Sequence, residues 1–328
     1  MLNPVRFALA VFLALLLIGA YPADAPAQGV TKIKYALGDV ISIDELPLLV
    51  AVERAKKRGV EVEVTSFKSE EIATQAVING QADIGQGTPY AAVQKVTIPV
   101  RFFYQLSALQ FFPIVNKEFY QDWKDLDGQE IVVHARGSGT EAIMNLMAKE
   151  HRITYKNVSY VPGSNVRALG LLKGNIKVSI LDASNKNYVM KEAPGKFIIL
   201  PLGQIKASDE SLFARKEYID KNRAALAVFL EELIKVNRAI NADPKSILGE
   251  RRQLGLLRDL PAKLEQEILP YFDEGVQNDI FPNDGGGERA ATSDLKFFRL
   301  AGALTGDNLK VEDFWDLGPL KAALARLK

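Results

Sequence analysis

Residues 131–147 combine a short apolar run, a turn rich in glycine and hydroxyl groups, and a second apolar pattern at helical spacing. The turn contains Ser138, Gly139 and Thr140, and Arg136 stands just before it. A helix that begins in such a turn directs its first free N–H groups into one small space, where the helix dipole favours negative charge. The turn therefore predicts an anion site. The alternative is that Ser138 or Thr140 only caps the helix.

The same turn contains the spacing of a relaxed dinucleotide-binding motif, Gly137-x-Gly139-x-x-Ala142. Its surroundings argue against that function. The next predicted strand, 157–161, is followed by no acidic residue placed to hold a ribose hydroxyl, and Glu141 would repel a pyrophosphate. We therefore expect no cofactor.

The first 27 residues have the features of a signal peptide. Arg6 precedes an apolar run over 7–20 that is too short to span a bilayer comfortably, and Ala25 and Ala27 suit cleavage near Ala27. We expect an exported, soluble, monomeric protein in the periplasm. The alternative is an uncleaved membrane anchor.

Composition excludes several classes of function. The chain has no cysteine, which rules out disulfides, thiol nucleophiles and cysteine metal sites. A net charge of +1 over 328 residues gives no reason to expect nucleic acid or an anionic membrane as partner. His134 and His151 stand in no metal-ligand pattern, so no metal is expected, and His134 is interpreted as structural.

Strand and helix patterns alternate along the first part of the chain. Strands are predicted at 32–37, 60–67 and 82–87, and helices at 46–55 and 70–78. Such a succession favours a parallel sheet with helices on its faces, and ligands of such sheets bind at the carboxyl ends of the strands.

The helix–glycine–strand pattern occurs twice. Residues 72–84 and 166–178 can be superimposed in sequence with Gly80 and Gly174 at the same place. Two similar α/β units predict two lobes that face each other across a ligand cleft. The alternative is that any two such units look alike.

We therefore predict an α/β, two-lobed fold with two hinge crossovers, near Asn116 and near Leu202. The first lobe would contain residues 28–115 and 204–328, and the second residues 116–203. The long amphipathic pattern at 224–239 predicts a helix, the rest of the chain is mostly helical, and the glycine run at 284–287 is interpreted as flexible surface.

Five motifs, in this order and spacing, carry a family resemblance: GVEVEVTSF, NGQADIG, HARGSGT, LLKGNIKVSILDAS and LFARKEYIDKNRAALAVFLEEL. Together they resemble the periplasmic substrate-binding proteins of nitrate, sulfonate and taurine uptake systems, a group that includes thiamine-pyrimidine binders. The resemblance implies a type II binding protein that closes around a small molecule and docks on the permease of an ABC transporter. Lys177 departs from the acidic residue that the family often has there.

Carried over by position, the resemblance also implies a ligand site on loops of both lobes. Its residues would be Asp39, Ser42, Ser69, Gln86, Thr88, Arg136, Ser138, Gly139, Thr140, Ser164, Asn165, Asp182 and Ser184.

The chemistry of the ligand has two interpretations. Arg136, Lys68 and the helix start favour a small organic anion, such as a carboxylate or sulfonate. Asp182, Asp39 and Asp44 leave open an amine or a thiamine-pyrimidine-like ring.

Three rival functions share this fold: a sensory protein, a binding protein for a tripartite transporter, and an enzyme. Gene neighbourhood would separate the sensory protein from ABC transport, and the tripartite alternative changes the partner but leaves the binding chemistry unchanged. The related enzymes, thiamine-pyrimidine synthases and porphobilinogen deaminases, depend on cysteines that this chain lacks, and no Gly-x-Ser-x-Gly elbow is present. We therefore expect no catalytic activity.

Overall fold

Period-two alternation in the first part of the chain produces the strands of one mixed sheet. The computed structural model describes residues 30–203 and 205–327, so the predicted signal peptide lies outside the described residues. The first sheet has the order β2-β1-β3-β10-β4, with β1 parallel to β2 and β3, and β10 antiparallel to both of its neighbours. Its strands are β1 (Thr31–Leu37), β2 (Val60–Ser66), β3 (Ile84–Gly87), β4 (Val100–Ala108) and β10 (Ser208–Arg215).

The second sheet repeats this arrangement. Its order is β7-β6-β8-β5-β9, with β6 parallel to β7 and β8, and β5 antiparallel to its two neighbours. Its strands are β5 (Phe112–Asn116), β6 (Glu130–Val133), β7 (Asn157–Tyr160), β8 (Val178–Leu181) and β9 (Phe197–Ile199). Below, the first lobe means the first sheet with the helices packed on it, and the second lobe means the second sheet with its helices.

Helices cover the faces of both sheets. In the first lobe they are α1 (Leu46–Lys56), α2 (Glu70–Ile78), α3 (Tyr90–Lys95), α7 (Lys216–Ala242), α8 (Ser246–Leu254), α9 (Ala262–Gln277), α10 (Gly287–Leu300), α11 (Val311–Phe314) and α12 (Gly318–Ala325). In the second lobe they are α4 (Gly139–His151), α5 (Ser164–Leu172) and α6 (Ala183–Glu192). None of the helices between residues 30 and 327 that the structure describes is long and apolar enough to cross a membrane.

The internal repeat is confirmed at the level of strand order and of backbone angles. Gly80 and Gly174, matched in the sequence, end α2 and α5 with φ of +77° and +79°. This left-handed conformation is one that glycine adopts without the steric cost that a side chain would add. The predicted α/β fold with two mainly parallel sheets is confirmed as well.

The chain passes between the sheets through residues 109–111 and returns through residues 200–207. The predicted limit at residue 115 therefore falls inside β5, which pairs with β8 and β9 of the second sheet. In the sequence, residues 100–107 and 111–117 form two successive apolar stretches. Nothing within either stretch indicates which sheet it joins. The limits of the lobes as folding units stay a prediction.

The interpretation of residues 284–287 as flexible surface is wrong. Gly285 and Gly286 are buried, and the Gln105 N–H donates to the Gly285 carbonyl at 3.0 Å. A Cβ at Gly285 would lie 2.5 Å from the Tyr104 ring. Close packing against β4 is why glycines stand here, and a sequence pattern cannot distinguish this from mobility.

Candidate functional site

A cavity of about 130 Å³ lies between the two lobes, at the carboxyl ends of strands from both sheets. Asp39 follows β1, Thr88 follows β3, His134 follows β6 and Asp182 follows β8. This is where open α/β sheets place their ligands, because connecting loops diverge there. The cleft predicted from the alternating pattern is therefore present.

Eight of the thirteen predicted site residues line this cavity: Asp39, Gln86, Thr88, Ser138, Gly139, Thr140, Ser164 and Asp182. The other five, Ser42, Ser69, Arg136, Asn165 and Ser184, do not line it. Each of the five stands one or two positions away from a residue that does line the cavity.

Arg136 is the most consequential of the five. Its side chain is 69% exposed, lies 5.0 Å from the centre of the Tyr160 ring and approaches Glu71 at 3.9 Å. It therefore supplies no charge to the cavity. Arginine often covers an aromatic ring in this way while its charge stays in water.

The remaining four residues have local structural roles. The Ser69 hydroxyl caps α2 by accepting from the Ile72 N–H at 3.4 Å, and Asn165 accepts from the Val166 N–H beside it. Ser42 stands two residues before Asp44, a carboxyl group that does line the cavity. Ser184 is buried in the first turn of α6.

The glycine- and hydroxyl-rich turn satisfies much of its own hydrogen bonding. Ser138 Oγ donates to the Ala135 carbonyl at 2.7 Å and accepts from the Glu141 N–H at 3.4 Å. Thr140 Oγ1 accepts from the His134 N–H at 3.1 Å, and Glu141 Oε2 accepts from the Gly137 N–H at 2.6 Å. Ser138 thus caps the helix, as the alternative interpretation expected, and a carboxylate of the protein already binds this turn.

The first-lobe wall of the cavity is acidic. We use the name acidic wall for the side chains of Asp44, Glu45, Glu70, Asp209 and Glu210. They come from three places in the sequence: the loop after β1, the first turn of α2, and the start of β10. None of these five is among the predicted site residues, although Asp44 is one of the acids that leave open an amine ligand.

A chain of buried hydrogen bonds orients Glu45. The Tyr35 hydroxyl donates to Gln86 Oε1 at 2.5 Å, and Gln86 Nε2 donates to Glu45 Oε1 at 2.9 Å. All three side chains are buried. The amide of Gln86 therefore has a defined orientation, with its donor directed at the carboxylate.

Glu70 is held by the backbone of the loop after β3. Its Oε1 accepts from the Thr88 N–H at 2.9 Å. Gly87 adopts φ of +138°, and a Cβ at this position would collide with the same Glu70 oxygen. The glycine is therefore needed both for its backbone angle and for the space it leaves to the carboxylate.

Enclosure between the lobes raises the pKa values of the acidic wall. Desolvation, with the neighbouring charge of Asp44, raises the pKa of Glu45 to about 8, and desolvation raises that of Glu70 to about 7. Asp44 faces the water of the cleft, but the surrounding protein and the charges of Asp182 and Asp39 still raise its pKa to about 7. Desolvation also raises the pKa values of Asp209 and Glu210.

The second-lobe wall contains one buried cation. Arg167 is 1% exposed and donates to the carbonyls of Ile180 at 3.2 Å and Val161 at 2.8 Å. Desolvation lowers its pKa to about 10, opposed by the nearby charges of Asp182 and Asp39. Arg167 is buried while the apolar Val166 and Leu169 of the same helix are exposed, so hydrophobic periodicity does not indicate that this arginine faces a cavity.

His134 also lines the cavity, contrary to the expectation that it is only structural. Its Nδ1 lies 3.7 Å from Asp39 Oδ2. Desolvation, with the charge of Arg167, lowers the pKa of His134 to about 3, so the ring is neutral at physiological pH.

Apolar side chains complete the cavity. Tyr271 on α9 and Phe281 after it are joined there by Phe111 and Leu233. Phe111 lies between core and cleft, since it packs against the core and also lines the cavity. No group of three metal-ligating side chains with suitable geometry occurs in the part of the chain that the structure describes.

A hydrogen-bond network at the base of β10 positions two members of the acidic wall. Asp294 on α10 accepts from the Ser208 N–H at 2.6 Å and from the Tyr90 hydroxyl at 2.7 Å. The Trp315 indole N–H in turn donates to the Tyr90 oxygen at 2.8 Å. Ser208 directly precedes Asp209 and Glu210, so this network fixes where their backbone begins.

The family of this chain follows from a match to residues 43–247, a segment that includes strands of both sheets and most of the cavity residues. The matching family model is described as NMT1/THI5 like. This protein belongs to the NMT1/THI5-like family. The family resemblance inferred from the motifs is confirmed. No curated protein matches the chain.

Solved structures show the same fold as this NMT1/THI5-like protein at low identity. The nitrate-binding protein NrtA from Synechocystis PCC 6803 is 13% identical, with 91% of this chain and 89% of that chain covered and a TM-score of 0.70. A zinc-bound ligand-binding component of an ABC-type import system from Staphylococcus aureus is 13% identical, with 89% and 99% covered and a TM-score of 0.68. The alkanesulfonate-binding protein SsuA from Xanthomonas axonopodis pv. citri, bound to MOPS, is 13% identical, with 88% and 99% covered and a TM-score of 0.63.

Glu274 forms a polar contact between the lobes beside the cavity of this NMT1/THI5-like protein. Glu274 on α9 of the first lobe accepts from Lys186 Nζ and Asn187 Nδ2 on α6 of the second lobe, each at 2.7 Å. Lys186 Nζ also lies 4.1 Å from the centre of the Phe112 ring. Both partners of the ion pair are mostly shielded from water, which strengthens the contact.

Removing this contact is expected to favour separation of the lobes. A hydrogen bond to a charged group contributes about 1.5–3 kcal/mol, which corresponds to at least a roughly tenfold shift of a two-state equilibrium. Glu274→Ala should therefore increase the radius of gyration of the unliganded protein, measured by small-angle X-ray scattering. Glu267→Ala on the same helix is the control, because its contact with the second lobe is weaker: Glu267 lies 3.9 Å from Lys191, whose side chain is 73% exposed. Equal radii for both variants and the original protein would contradict the prediction.

Proposed function

We propose that this protein captures a small organic solute between its lobes and delivers it to the membrane permease of an ABC importer. The observation that carries the proposal is a cavity lined by side chains of both lobes, which two short crossings connect. A ligand that contacts both walls stabilises the closed arrangement, and closure changes the surface that a permease can recognise. Membership of the NMT1/THI5-like family and the fold shared with the Staphylococcus import component support this function.

The predicted cellular location and the binding partner belong to the same proposal. We propose a periplasmic monomer, because the fold is that of the nitrate- and alkanesulfonate-binding proteins described above and because residues 1–27 have the composition of an export signal. The thirteen predicted site residues stay a prediction as ligand contacts, with the eight that line the cavity as the better candidates.

The expected organic anion has weaker support in this cavity than the alternative, an amine-bearing ligand. Arg136 lies outside the cavity, and the hydroxyl groups of Ser138 and Thr140 hydrogen-bond to each other at 2.8 Å and to backbone groups. The one charged donor among the described residues lining the cavity is Arg167.

We propose binding without turnover. The cavity hydroxyls of Ser138 and Thr140 already form the hydrogen bonds given above. An acyl-transfer mechanism would need a basic side chain hydrogen-bonded to one of them, and the described residues provide none there. The His134 ring forms no hydrogen bond to either hydroxyl among the described residues. Its charged neighbour is Asp39. The proposed role is therefore capture and release of an unchanged solute.

The test combines binding, closure and chemical identity of the ligand. Compounds from cationic, neutral and anionic classes would be screened by the shift in melting temperature, and those that act would be studied by calorimetry and small-angle scattering. We expect one-to-one binding, a smaller radius of gyration on binding, and recovery of the same compound by mass spectrometry. Recovery of a converted product would overturn the proposal in favour of an enzyme.

A further inference from the structure

We propose that the ligand carries a positively charged nitrogen group, an ammonium or an amidinium, which binds the acidic wall of the first lobe. This inference rests on the proposed function, because it specifies the ligand of the same cleft. It is carried by the distribution of charge around the cavity, by one carboxylate oxygen that has no hydrogen-bond partner among the described residues, and by the aromatic side chains that line the same cavity.

Negative groups far outnumber positive ones around this cavity. Among the described residues that line it, seven carboxyl side chains face a single arginine and no lysine. The seven are Asp39, Asp44, Glu45, Glu70, Asp182, Asp209 and Glu210. The whole chain has a net charge of only +1, so this excess is a local property of the cleft. Carboxylates held together in an enclosed space repel one another unless a cation or protons compensate them.

Arg167 does not compensate the acidic wall. It lies in α5 of the second lobe, where it donates to two backbone carbonyls. The charges that act on it are those of Asp182 and Asp39, neither of which belongs to the acidic wall. The five carboxyl groups of the acidic wall thus have no basic side chain beside them among the described lining residues.

Glu210 supplies an independent indication that a donor is expected here. Its Oε2 atom is shielded from water and has no hydrogen-bond partner within residues 30–203 and 205–327. A buried carboxylate oxygen without a donor is unfavourable, and such atoms are rare in native proteins. A ligand with several N–H groups would supply the missing donor.

The remaining lining suits the body of such a ligand. Tyr271 and Phe281 come from the α9 region, and Tyr271 lies close enough to Asp44 and Asp182 for their charges to act on its hydroxyl. Aromatic rings beside carboxylates bind organic cations well, because the ring faces attract positive charge and cover the hydrocarbon part.

The titration of the acidic wall adds a signature that a neutral or anionic ligand would not produce. Near neutral pH the unliganded cleft keeps part of its carboxyl groups protonated, since the pKa values of Asp44 and Glu70 are about 7 and that of Glu45 is about 8. A cation favours the ionised form, so its binding should release protons and strengthen as pH rises. The other two members of the wall are Asp209 and Glu210, and the titratable or charged groups that face the wall are Tyr35, Asp39, His134, Arg167, Asp182 and Tyr271.

The experiment compares matched triads of probes that share a carbon skeleton. One triad is benzylamine, benzyl alcohol and benzoate, and the other is 1,4-diaminobutane, 1,4-butanediol and succinate. Melting-temperature shifts and calorimetry between about pH 6 and about pH 8 should show binding of the amines only, with an affinity that increases with pH. Calorimetry repeated in buffers of differing ionisation enthalpy should show that protons are released on binding.

Two variants localise the effect. Glu70→Gln keeps an oxygen for the Thr88 N–H and removes the charge, and Glu210→Gln removes the charge of the unpartnered group. Each should weaken binding of the better amine at least about tenfold. Glu71→Gln is the matched control, since Glu71 is the next residue of α2, is 58% exposed and does not line the cavity.

The outcomes separate this inference from the proposed function. Binding of the alcohols or the acids with equal or higher affinity than the amines would overturn the cationic ligand and leave a solute-binding protein. Absence of binding by every probe, the amines included, would overturn the cationic ligand, whereas the proposed function fails only if the wider screen of cationic, neutral and anionic compounds also finds no ligand. If Glu71→Gln weakens amine binding as much as Glu70→Gln does, the cation binds elsewhere and the role of the acidic wall is overturned.

Discussion

Replacement of Asp294 by alanine is expected to lower the free energy of unfolding by about 2–5 kcal/mol, because it leaves buried donors without an acceptor. Asp294 is fully buried and accepts from the Ser208 N–H and the Tyr90 hydroxyl. Neither donor can reach water without disturbing the aromatic packing around Tyr90, which stacks on Phe102 and Phe298 at centroid distances of 4.3 Å and 4.5 Å. Urea unfolding followed by circular dichroism measures the loss.

The same substitution should also impair the cleft. Ser208 begins β10, and the carboxyl groups of Asp209 and Glu210 follow it directly. Asp307→Ala is the control, because Asp307 is 91% exposed and pairs only with the half-exposed Arg299. It should change stability by no more than about 0.5 kcal/mol. A loss below about 1 kcal/mol for Asp294→Ala would mean that Tyr90 and Ser208 find other partners.

The unliganded protein is expected to become less stable as pH rises from about 6.5 to about 8. The pKa values of Asp44, Glu45 and Glu70 in the folded state are about 7 to 8, above those of unfolded carboxyls. A group whose pKa is raised by folding binds its proton more tightly in the folded state. Its contribution is therefore complete below the unfolded value and is lost as pH rises through the folded value.

His134 acts in the opposite direction, which sets the lower limit of this window. Its folded-state pKa is lowered to about 3, so its neutral state makes stability rise with pH up to its ordinary value near 6.5. Above that pH only the carboxyl groups still titrate among these residues. One pKa unit corresponds to about 1.4 kcal/mol, and because the carboxyl groups interact and Asp44 faces water, we expect a total loss of about 3 kcal/mol.

Urea unfolding at several pH values tests this expectation. Glu45→Gln should flatten the decline, since the amide keeps an acceptor for Gln86 and carries no charge. Glu217→Gln, at an exposed site on α7, should leave the pH profile unchanged. Stability that rises steadily up to about pH 8 would show that the acidic wall is already compensated in the unliganded protein.

Local pattern in the sequence was sufficient for most of the architecture. The strict alternation of residues 60–66 and the helical spacing of residues 70–78 depend on neighbours within the same element, and both elements occur as predicted. The repeat around Gly80 and Gly174 predicted two similar lobes for the same reason, because a glycine with positive φ ends each helix. Loops after parallel strands meet at one edge, so eight predicted residues line the cavity.

The strand β10 was missed, and with it two carboxyl groups of the acidic wall. Its sequence SDESLFAR begins with polar residues and gives no clear alternation. It becomes a strand because Ser211 to Ala214 pair with β3, more than 120 residues earlier in the chain, and with β4 on the other side. Such pairing is a property of the tertiary structure, and propensity does not predict it.

Side-chain direction and accumulated charge were likewise decided only by the tertiary structure. Glu45 and Glu70 stand in or before a first helical turn, where acids usually interact with the helix dipole at the surface. Arg136 looked like the cation of the site, whereas Arg167 faces the cavity. The sequence determined which loops meet, because periodicity is local. The net charge between these loops depends on residues from both lobes, and only the folded chain brings those residues together.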